Sequence, residues 1–247
     1  MTAREDHFSA IANEYSRGRF GYPEELFDYL GGLCHQRTVA WDCATGSGQA
    51  VPSLAKRFER VVATDISESL LQQAPAIENV TYRCAPAEMS GVPDASTDLV
   101  TVAQALHWFC GEPFWREVER VCKPGGVFAF WGYIWPSVDA QVDGIFSRLR
   151  EKLAGYWPER SRLIHDGYAD VRPPFEPISS PGFSLSAEWR RADYIAHIRS
   201  WSAVRYYAEQ NARDIVDPFD ADLSRLWSDE KVKAVRWSMI LRVYRVK

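Results

Sequence analysis

A glycine-containing segment and a later aspartate are the first residues of this chain whose types and spacing can bind a ligand. Residues 42–48, with the sequence DCATGSG, follow an apolar run and precede a segment of helical spacing. Glycines there let the backbone approach a ligand closely, and the start of a helix leaves free N–H groups. Asp65 closes the next apolar run about 20 residues further on, where a carboxylate can accept hydrogen bonds from ribose hydroxyls. Together they indicate a nucleotide-like ligand with a free ribose.

Other common ligand motifs are missing from the sequence. The dinucleotide pattern G-x-G-x-x-G fails because Val51 stands at the position of the third glycine. No G-x-x-x-x-G-K-[ST] segment occurs, which excludes a P-loop. The five cysteines include no C-x-x-C pair, so the sequence indicates neither a disulfide framework nor a zinc site. We therefore expect no bound metal.

The elements that must position these residues alternate regularly in the first half of the chain. Apolar runs of strand length predict strands at residues 38–42, 60–65, 80–84, 98–103 and 127–131. These runs are rich in branched residues and lack strict alternation, which is typical of strands buried on both faces. Segments of helical spacing lie between them, including one at 49–58 after the glycines and one at 111–122. The pattern predicts an α/β fold with a doubly wound, mostly parallel sheet.

The regular alternation ends after the fifth strand. We expect two helices within residues 1–34, a helical and loop insertion at 135–181, and further strands and helices at 183–247. In the second half the patterns predict a helix at 138–153, a proline-rich loop at 172–182, a strand at 183–189, a long helix at 192–209 and a closing strand at 235–246. All of this is expected to form a single domain over 1–247, with the ligand-binding core at 38–132.

The net charge and hydropathy of the chain exclude some classes of binding partner. The net charge is -4 and the pI is about 5.8, so the chain lacks the basic field that a nucleic-acid-binding protein needs. No run of ~18 apolar residues occurs, which argues against a membrane span. The first residues lack the apolar stretch of a secretory signal. We expect a cytoplasmic protein, a monomer or homodimer, that binds no nucleic acid and no membrane.

Four segments of the first half resemble the class I S-adenosylmethionine-dependent methyltransferases. They are D-x-x-x-G-x-G after strand one, an acid ending strand two, Ala87-Glu88 after strand three, and K-P-G-G before strand five. The resemblance spans residues 38–131. It implies a Rossmann-like, seven-stranded sheet with an antiparallel last strand, S-adenosyl-L-methionine as cofactor and S-adenosyl-L-homocysteine as product. The sequence departs from the family at Ala44, where glycine is usual and the extra methyl group narrows the space beside the methionine moiety.

A narrower resemblance points to the trans-aconitate methyltransferase group, within the type 11 methyltransferases. The segments that carry it are Phe8-Ser9, Tyr15, Arg19 and Tyr22-Pro23, then A-L-H-W-F at 105–109, W-G-Y at 131–133, Y-W at 156–157, R-S-R at 160–162 and R-S-W-S-A at 199–203. Several lie outside the cofactor core, so the match covers most of the chain. The group methylates the carboxylates of small acids, which makes such an acid the expected acceptor.

The resemblance implies a set of cofactor-binding residues. They are Tyr15, Arg19, Asp42, Ala44, Gly46, Gly48, Asp65, Ile66, Ala87, Glu88, Gln104 and Ala105. In this set Asp65 binds the ribose, Glu88 borders the adenine and Gln104 lies against the methionine moiety. Arg19 is expected to meet the cofactor carboxylate from the N-terminal helices.

The acceptor decides what catalysis requires. A carboxylate is ionised at pH 7 and needs no base, whereas a phenol, amine or ring nitrogen benefits from one. His107, just past strand four, is the candidate catalytic residue, either as that base or as a positioning group. Aromatic side chains would wall the acceptor site and arginines would hold its other carboxylates. The expected acceptor-binding residues are His107, Trp108, Trp131, Tyr133, Trp157, Arg162, Trp201, Arg205 and Tyr206.

Three other functions stay open at this point. The first is N- or O-methylation of an aromatic or heterocyclic metabolite with His107 as base. The second is a module that binds S-adenosylmethionine without transferring methyl, which Asp65 and the aromatic residues disfavour. The third is a nicotinamide oxidoreductase, which the incomplete glycine pattern disfavours.

Overall fold

The structure, a computed structural model, describes residues 21–247. In this part of the chain eight strands form one sheet. They are β1 (Val39–Cys43), β2 (Arg60–Asp65), β3 (Val80–Cys84), β4 (Thr97–Ala103), β5 (Cys122–Tyr133), β6 (Glu176–Ile178), β7 (Ser184–Trp189) and β8 (Lys233–Arg245). Their order is β3-β2-β1-β4-β5-β8-β6, and β7 pairs with β8. Strands β1 to β5 run parallel and β8 runs antiparallel to β5. The α/β fold with a mostly parallel sheet is confirmed, with eight strands instead of seven.

Short helices and turns connect the strands. The helices of the described residues are α1 (Glu24–Leu33), α2 (Val51–Ala55), α3 (Glu68–Leu71), α4 (Glu112–Val121), α5 (Ala140–Leu153), α6 (Arg162–His165), α7 (Arg191–Arg199), α8 (Ser202–Asn211) and α9 (Val216–Ser224). Single 3-10 turns occur at Leu106–Trp108, Ala154–Tyr156 and Glu159–Ser161. Ser67 is the N-cap of α3, and its side chain accepts a hydrogen bond from the backbone N–H of Leu70.

The strands alternate their side chains between two apolar layers, one on each face of the sheet. Ala129 and Trp131 of β5 lie in a layer with Leu26 of α1 and the helices that follow β5. Phe128 and Phe130, the residues between them, lie in the other layer with Phe114 of α4. Because successive strand residues point to opposite faces, the whole central sheet is covered on both sides. The insertion after β5 contributes buried residues to both layers.

The register of the strands brings the segments that follow β1, β2 and β4 to one edge of the sheet. Asp42 of β1 pairs with Ala63 of β2 on one side and with Thr101 of β4 on the other. The carboxyl ends of three adjacent parallel strands therefore meet at the same edge, where ligands of open α/β sheets bind. The opposite edge is closed by Asp98, which accepts backbone hydrogen bonds from Thr38 and Val39 and pairs with Lys123 at 2.7 Å.

Several elements differ from their expected form. The helix expected over 49–58 is only α2, because Gly46 and Gly48 upstream adopt left-handed backbone angles that no helix accepts. The helix expected over 192–209 is two helices, α7 and α8, with a break at Ser200 and Trp201 where Trp201 turns to an extended backbone.

Two further differences concern the sheet. The K-P-G-G segment lies inside the first part of β5 instead of before it, with a register shift in its pairing to β4 and Gly125 at φ +77°. The loop expected at 172–182 contains β6, a three-residue strand with Pro177 in it. A short strand at the edge of a sheet tolerates proline because one side of it carries no ladder partner. This edge strand accounts for the eighth strand.

Candidate active site

A cavity opens at the carboxyl ends of β1, β2 and β4. It encloses about 930 Å³, its open mouth included, which is ample space for a nucleotide-sized ligand. Ten residues expected from the sequence line it: Asp42, Ala44, Gly46, Asp65, Ile66, Ala87, Glu88, Gln104, Ala105 and Trp108. The structure thus brings together residues from four separate loops of the chain.

The loop after β1 has an unusual backbone. Ala44, Gly46 and Gly48 have φ values of +54°, +59° and +80°, the left-handed region in which side chains are disfavoured. A Cβ on Gly46 would meet only the side-chain oxygen of Gln49, at 3.8 Å. The backbone at Gly46 is therefore open to a ligand. Gly48 does not line the cavity; a Cβ there would lie 3.1 Å from Pro75 and 3.3 Å from Ala74.

Asp65 at the end of β2 ties this loop to the next. One carboxylate oxygen accepts a hydrogen bond from the backbone N–H of Gly46 and the other from that of Ser67, both at 2.8 Å. The side chain is 8% exposed, and burial raises its pKa although these backbone hydrogen bonds oppose the rise. The lone pairs that the N–H groups of Gly46, Ser67 and Ile66 leave unused can accept a hydrogen bond from a ligand hydroxyl.

Asp42 lies under the loop, in the floor of the cavity. Its carboxylate accepts hydrogen bonds from the hydroxyls of Thr45, at 2.5 Å, and Thr101, at 2.7 Å. Complete burial raises the pKa of Asp42 to about 6, against the lowering effect of the two hydroxyls. An ionised Asp42 beside the cavity favours a ligand that carries positive charge.

Gln104 directly follows β4 in a strained conformation, with φ at +57°. Its backbone N–H donates to the carbonyl of Trp131, and its side-chain amide donates to the carbonyl of Tyr133, at 2.9 and 2.8 Å. A Cβ on Gly132 would lie 3.0 Å from the Gln104 side-chain oxygen, so glycine there leaves room for the amide. Two hydrogen bonds to β5 hold the strained residue in the cavity wall.

His107 lies in the 3-10 turn after β4, beside the cavity wall and not in its lining. Its ring centroid is 5.1 Å from that of Trp108, which does line the cavity. Its Nδ1 lies 3.1 Å from the hydroxyl of Tyr168. Burial, with the nearby His165 as a smaller cause, lowers the pKa of His107 to about 4. The imidazole is therefore neutral at pH 7.

Three tryptophans form an aromatic cluster near His107. Trp135, Trp157 and Trp201 lie with ring centroids 5.6–5.7 Å apart. His165 packs against two of them, 4.9 Å from Trp135 and 4.6 Å from Trp157. The expected acceptor residues Trp157 and Trp201 are thus brought together, with Trp135 as a member that the sequence did not single out.

Two expected acceptor residues of β5 lie in the core instead. Trp131 is 1% exposed and packs edge-on against Tyr22 and Phe27. Tyr133 is buried with its ring 6.2 Å from that of Trp237. Both point to the α1 face because of strand alternation, which the strand ends alone could not reveal.

The expected arginines and Tyr206 do not reach the cavity in this structure. The Arg162 side chain is 83% exposed and pairs with Asp166 at 3.4 Å. The guanidinium of Arg205 lies over the ring of Tyr206, 5.1 Å from its centroid, on α8. A carboxylate clamp of these side chains is therefore not assembled. Tyr15 and Arg19 lie outside the described residues.

Nine further residues of the cavity lining were not among the expected cofactor-binding or acceptor-binding residues. They are Tyr22 as a wall residue, Thr45, Gln49, Ala50, Leu70, Ala85, Pro86, Ala103 and Phe109. Most are neighbours of expected residues, so their position next to a motif was the available signal. Tyr168 and His165 carried no signal, because both lie about 60 positions from His107 in the sequence.

Two kinds of feature are missing from residues 21–247. No helix there is both long and apolar enough to cross a membrane. No group of three or more histidine, cysteine or acidic side chains in the same residues is arranged to hold a metal ion.

Known proteins are similar to this chain in both sequence and fold. A family model described as a methyltransferase domain matches residues 41–130. A candidate methyltransferase of Dictyostelium discoideum is 32% identical over 222 residues, covering 87% of this chain and 84% of the relative. The chain belongs to the class I S-adenosylmethionine-dependent methyltransferases. Its fold and its enzyme class, as expected from the sequence, are thereby confirmed.

Two more members of the family support the assignment. A Saccharomyces cerevisiae protein, CRG1, with the provisional description of S-adenosylmethionine-dependent methyltransferase, is 27% identical and covers 80% of this chain and 82% of its own. The solved structure of a candidate type II methyltransferase from Anaeromyxobacter dehalogenans is 37% identical with a TM-score of 0.86. It covers 92% of this chain and 98% of its own.

The cofactor of this methyltransferase is S-adenosyl-L-methionine, and the residues at the cavity fit it. The fixed carboxylate of Asp65 has the chemistry that a ribose hydroxyl requires of a hydrogen-bond acceptor. Gly46 leaves its backbone open, and Ile66, Leu70 and Ala87 supply apolar walls for a purine base. Asp42 supplies negative charge for a cationic ligand.

Ala44 provides a test of the loop's departure from the family. We expect Ala44→Gly to change the affinity for S-adenosyl-L-homocysteine less than tenfold, below ~1.4 kcal/mol, because the backbone already has the angles that glycine prefers. Relief of the left-handed strain should raise the melting temperature slightly. Calorimetry and thermal denaturation measure the two effects.

Ala95 is the matched control, since it has φ at +44° outside the cavity. Ala95→Gly should give a similar thermal gain with no change in affinity. A gain in affinity above tenfold for Ala44→Gly would mean that the methyl group blocks the cofactor site.

Proposed function

We propose that this methyltransferase methylates a carboxylate of a small organic acid, forming a methyl ester by direct in-line transfer. The observation that carries the proposal is the placement of His107, which lies beside the cavity lining, 5.1 Å from the ring of Trp108, with its Nδ1 3.1 Å from the hydroxyl of Tyr168. With a pKa near 4, its imidazole accepts a proton from a phenol or amine poorly at pH 7. A carboxylate acceptor needs no base, because it is already ionised.

In this proposal each cavity residue contacts a different portion of the cofactor or supports the loops around it. S-adenosyl-L-methionine supplies an electrophilic methyl group when bound. Asp65 accepts the ribose hydroxyls, Ala87 and Glu88 border the adenine, and Gln104 lies against the methionine moiety. The remaining lining residues, Asp42, Ala44, Gly46, Ile66 and Ala105, hold the loops and the walls in shape. Gly48 supports the loop from behind the cavity.

The acceptor would lie between Trp108 and the aromatic cluster of Trp135, Trp157 and Trp201. His107 connects the two, because it contacts Trp108 and lies near His165. A carboxylate and a sulfonium neutralise each other's charge as the methyl group moves, so walls that exclude water favour the transition state. Arg205 on α8, whose side chain is 35% exposed, is the candidate to meet a second carboxylate.

A substitution of His107 separates this proposal from base catalysis. We expect His107→Gln to keep kcat within roughly tenfold, because no proton leaves a carboxylate acceptor and the amide retains a hydrogen-bond donor. The pH profile of kcat/KM should keep the shape it has in the parent enzyme. Asp42, with a pKa of about 6, titrates within the pH range of the measurement in both the parent enzyme and His107→Gln. Only a limb of the parent profile that is missing in His107→Gln is therefore assigned to His107. Steady-state kinetics from about pH 3.5 to 9, a range that includes the pKa of about 4 of His107, give the answer.

Base catalysis by His107 predicts a different result for the same substitution. A positioned base contributes about 10²–10⁴-fold. A hundredfold loss of kcat in His107→Gln, with cofactor affinity intact and a limb of the pH profile gone, would make His107 the base and the acceptor a protonated group.

The acceptor itself is identified by a panel. Labelled S-adenosyl-L-methionine is incubated with the enzyme and small mono-, di- and tricarboxylic acids, phenols or nitrogen heterocycles. We expect transfer to acids and none to the other classes. Turnover of phenols or heterocycles alone would contradict the proposal.

A further inference from the structure

Tyr168 has a backbone that requires an explanation. It follows Gly167 just after α6, and the two residues have φ values of +54° and +65°. A bulky residue in the left-handed region is rare and costs free energy, and such residues concentrate at functional sites. Here the strained turn directs the tyrosine inward, since Tyr168 is 1% exposed. Its ring packs edge-on against Phe130, with the centroids 5.2 Å apart.

The buried hydroxyl of Tyr168 meets His107. The distance from its oxygen to Nδ1 of His107 is 3.1 Å, and the backbone N–H of His107 also donates toward this oxygen. Burial raises the pKa of Tyr168, so the hydroxyl keeps its proton. Burial also keeps the imidazole neutral. A neutral imidazole has one N–H and one accepting nitrogen, and the neighbour of one nitrogen determines where the proton lies.

A phenol is a stronger donor than acceptor, and the bare nitrogen of imidazole is a good acceptor. The favoured arrangement is therefore O–H of Tyr168 donating to Nδ1 of His107. We propose that Tyr168 is a positioning residue which holds the proton of His107 on Nε2, so that His107 presents an N–H donor to the acceptor. Nε2 has no hydrogen-bond partner among the described residues, which leaves it available to a ligand.

In this inference His107 helps to recognise the acceptor, and that role rests on the proposed function. An N–H donor stabilises an anionic oxygen and offers nothing to a hydroxyl or ring N–H that must itself donate. His107 would thus select a carboxylate instead of deprotonating an alcohol. The tautomer itself is independent of the identity of the acceptor, so the two statements can fail separately.

The first test is the tautomer of His107, read from the 15N chemical shifts of its ring at pH 7.5 in the full-length protein. His107→Gln identifies the signals by their loss. We expect one protonated nitrogen, Nε2, and one bare nitrogen, Nδ1. In Tyr168→Phe, which keeps the ring and removes the donor, the two shifts should move toward those of a tautomer mixture.

Tyr244→Phe is the matched control. Tyr244 also packs on Phe130, with the centroids 6.1 Å apart, and lies on β8 away from His107. Loss of its hydroxyl should leave the His107 shifts unchanged. A proton on Nδ1 in the parent protein, or shifts that do not respond to Tyr168→Phe, would overturn the proposal.

The second test is kinetic. Tyr168→Phe should raise KM for the acceptor on the order of tenfold, the effect of weakening one hydrogen bond to a charged group, with the Kd for S-adenosyl-L-homocysteine unchanged. His107→Gln places an amide N–H near the Nε2 position and should retain low KM, whereas His107→Asn places it near Nδ1 and should not. Equal KM values for the two His107 variants would contradict the assigned donor.

The outcomes distinguish this inference from the proposed function. If the shifts respond as expected but only phenols or heterocycles are methylated, Tyr168 still positions His107 and the proposed acceptor is wrong. If acids are methylated but Nδ1 carries the proton, the proposed function stands and the inference fails.

Discussion

Asp65→Ala should weaken the binding of S-adenosyl-L-homocysteine on the order of a hundredfold or more. The substitution removes the acceptor of two charge-assisted hydrogen bonds to the ribose, each worth ~1.5–3 kcal/mol. It also removes the acceptor of the Gly46 and Ser67 N–H groups, which hold the loops on both sides of the cavity. Titration calorimetry on the folded variant measures the affinity directly.

Asp98 offers a matched control at the opposite edge of the sheet. It is also a buried carboxylate that accepts two backbone hydrogen bonds, from Thr38 and Val39. Asp98→Ala should lower the melting temperature but leave the Kd of the folded protein unchanged. An unchanged Kd in folded Asp65→Ala, or equal losses in both variants, would mean that Asp65 does not contact the cofactor.

Gly48→Ala should destabilise the enzyme by about 2–5 kcal/mol. Its φ of +80° places an L-residue in the disfavoured region, at ~1–2 kcal/mol. The new Cβ would also lie 3.1 Å from Pro75 and 3.4 Å from the hydroxyl of Tyr82, and crowding of this kind costs ~1–3 kcal/mol. For a chain of this size the melting temperature should fall by about 5–15 °C.

Gly144, in the middle of α5, is the control for this substitution. Nothing lies within 4 Å of a Cβ built on it. Gly144→Ala should leave the melting temperature unchanged or raise it slightly, because alanine is favoured in a helix. A loss in Gly144→Ala as large as in Gly48→Ala would show that the left-handed loop is not the cause.

The meeting of the expected cofactor-binding residues in one cavity could be predicted from sequence, because the signals for it are local. A strand, a glycine turn and an acid at the end of the next strand lie within about 25 positions, and parallel strands always align their carboxyl ends. Asp42, Gly46 and Asp65 therefore meet in the cavity as their spacing requires.

The acceptor half was harder to predict, because it depends on how distant segments pack. Trp131 and Tyr133 occupy core positions that strand alternation assigns once the exact register is known. Arg162 lies on the surface because α6 presents it to solvent beside Asp166. The contact of His107 with Tyr168 joins a strand end to an insertion, and no local pattern encodes such a contact.

The chemical bond in the product tests the central claim most directly. The enzyme is incubated with S-adenosyl-L-methionine labelled in its methyl group and with the acid that turns over fastest, and the purified product is treated with mild alkali. If the enzyme esterifies a carboxylate, the label is released quantitatively as methanol. A label that stays on the product through alkali would show an ether, amine or carbon linkage and would contradict carboxylate methylation.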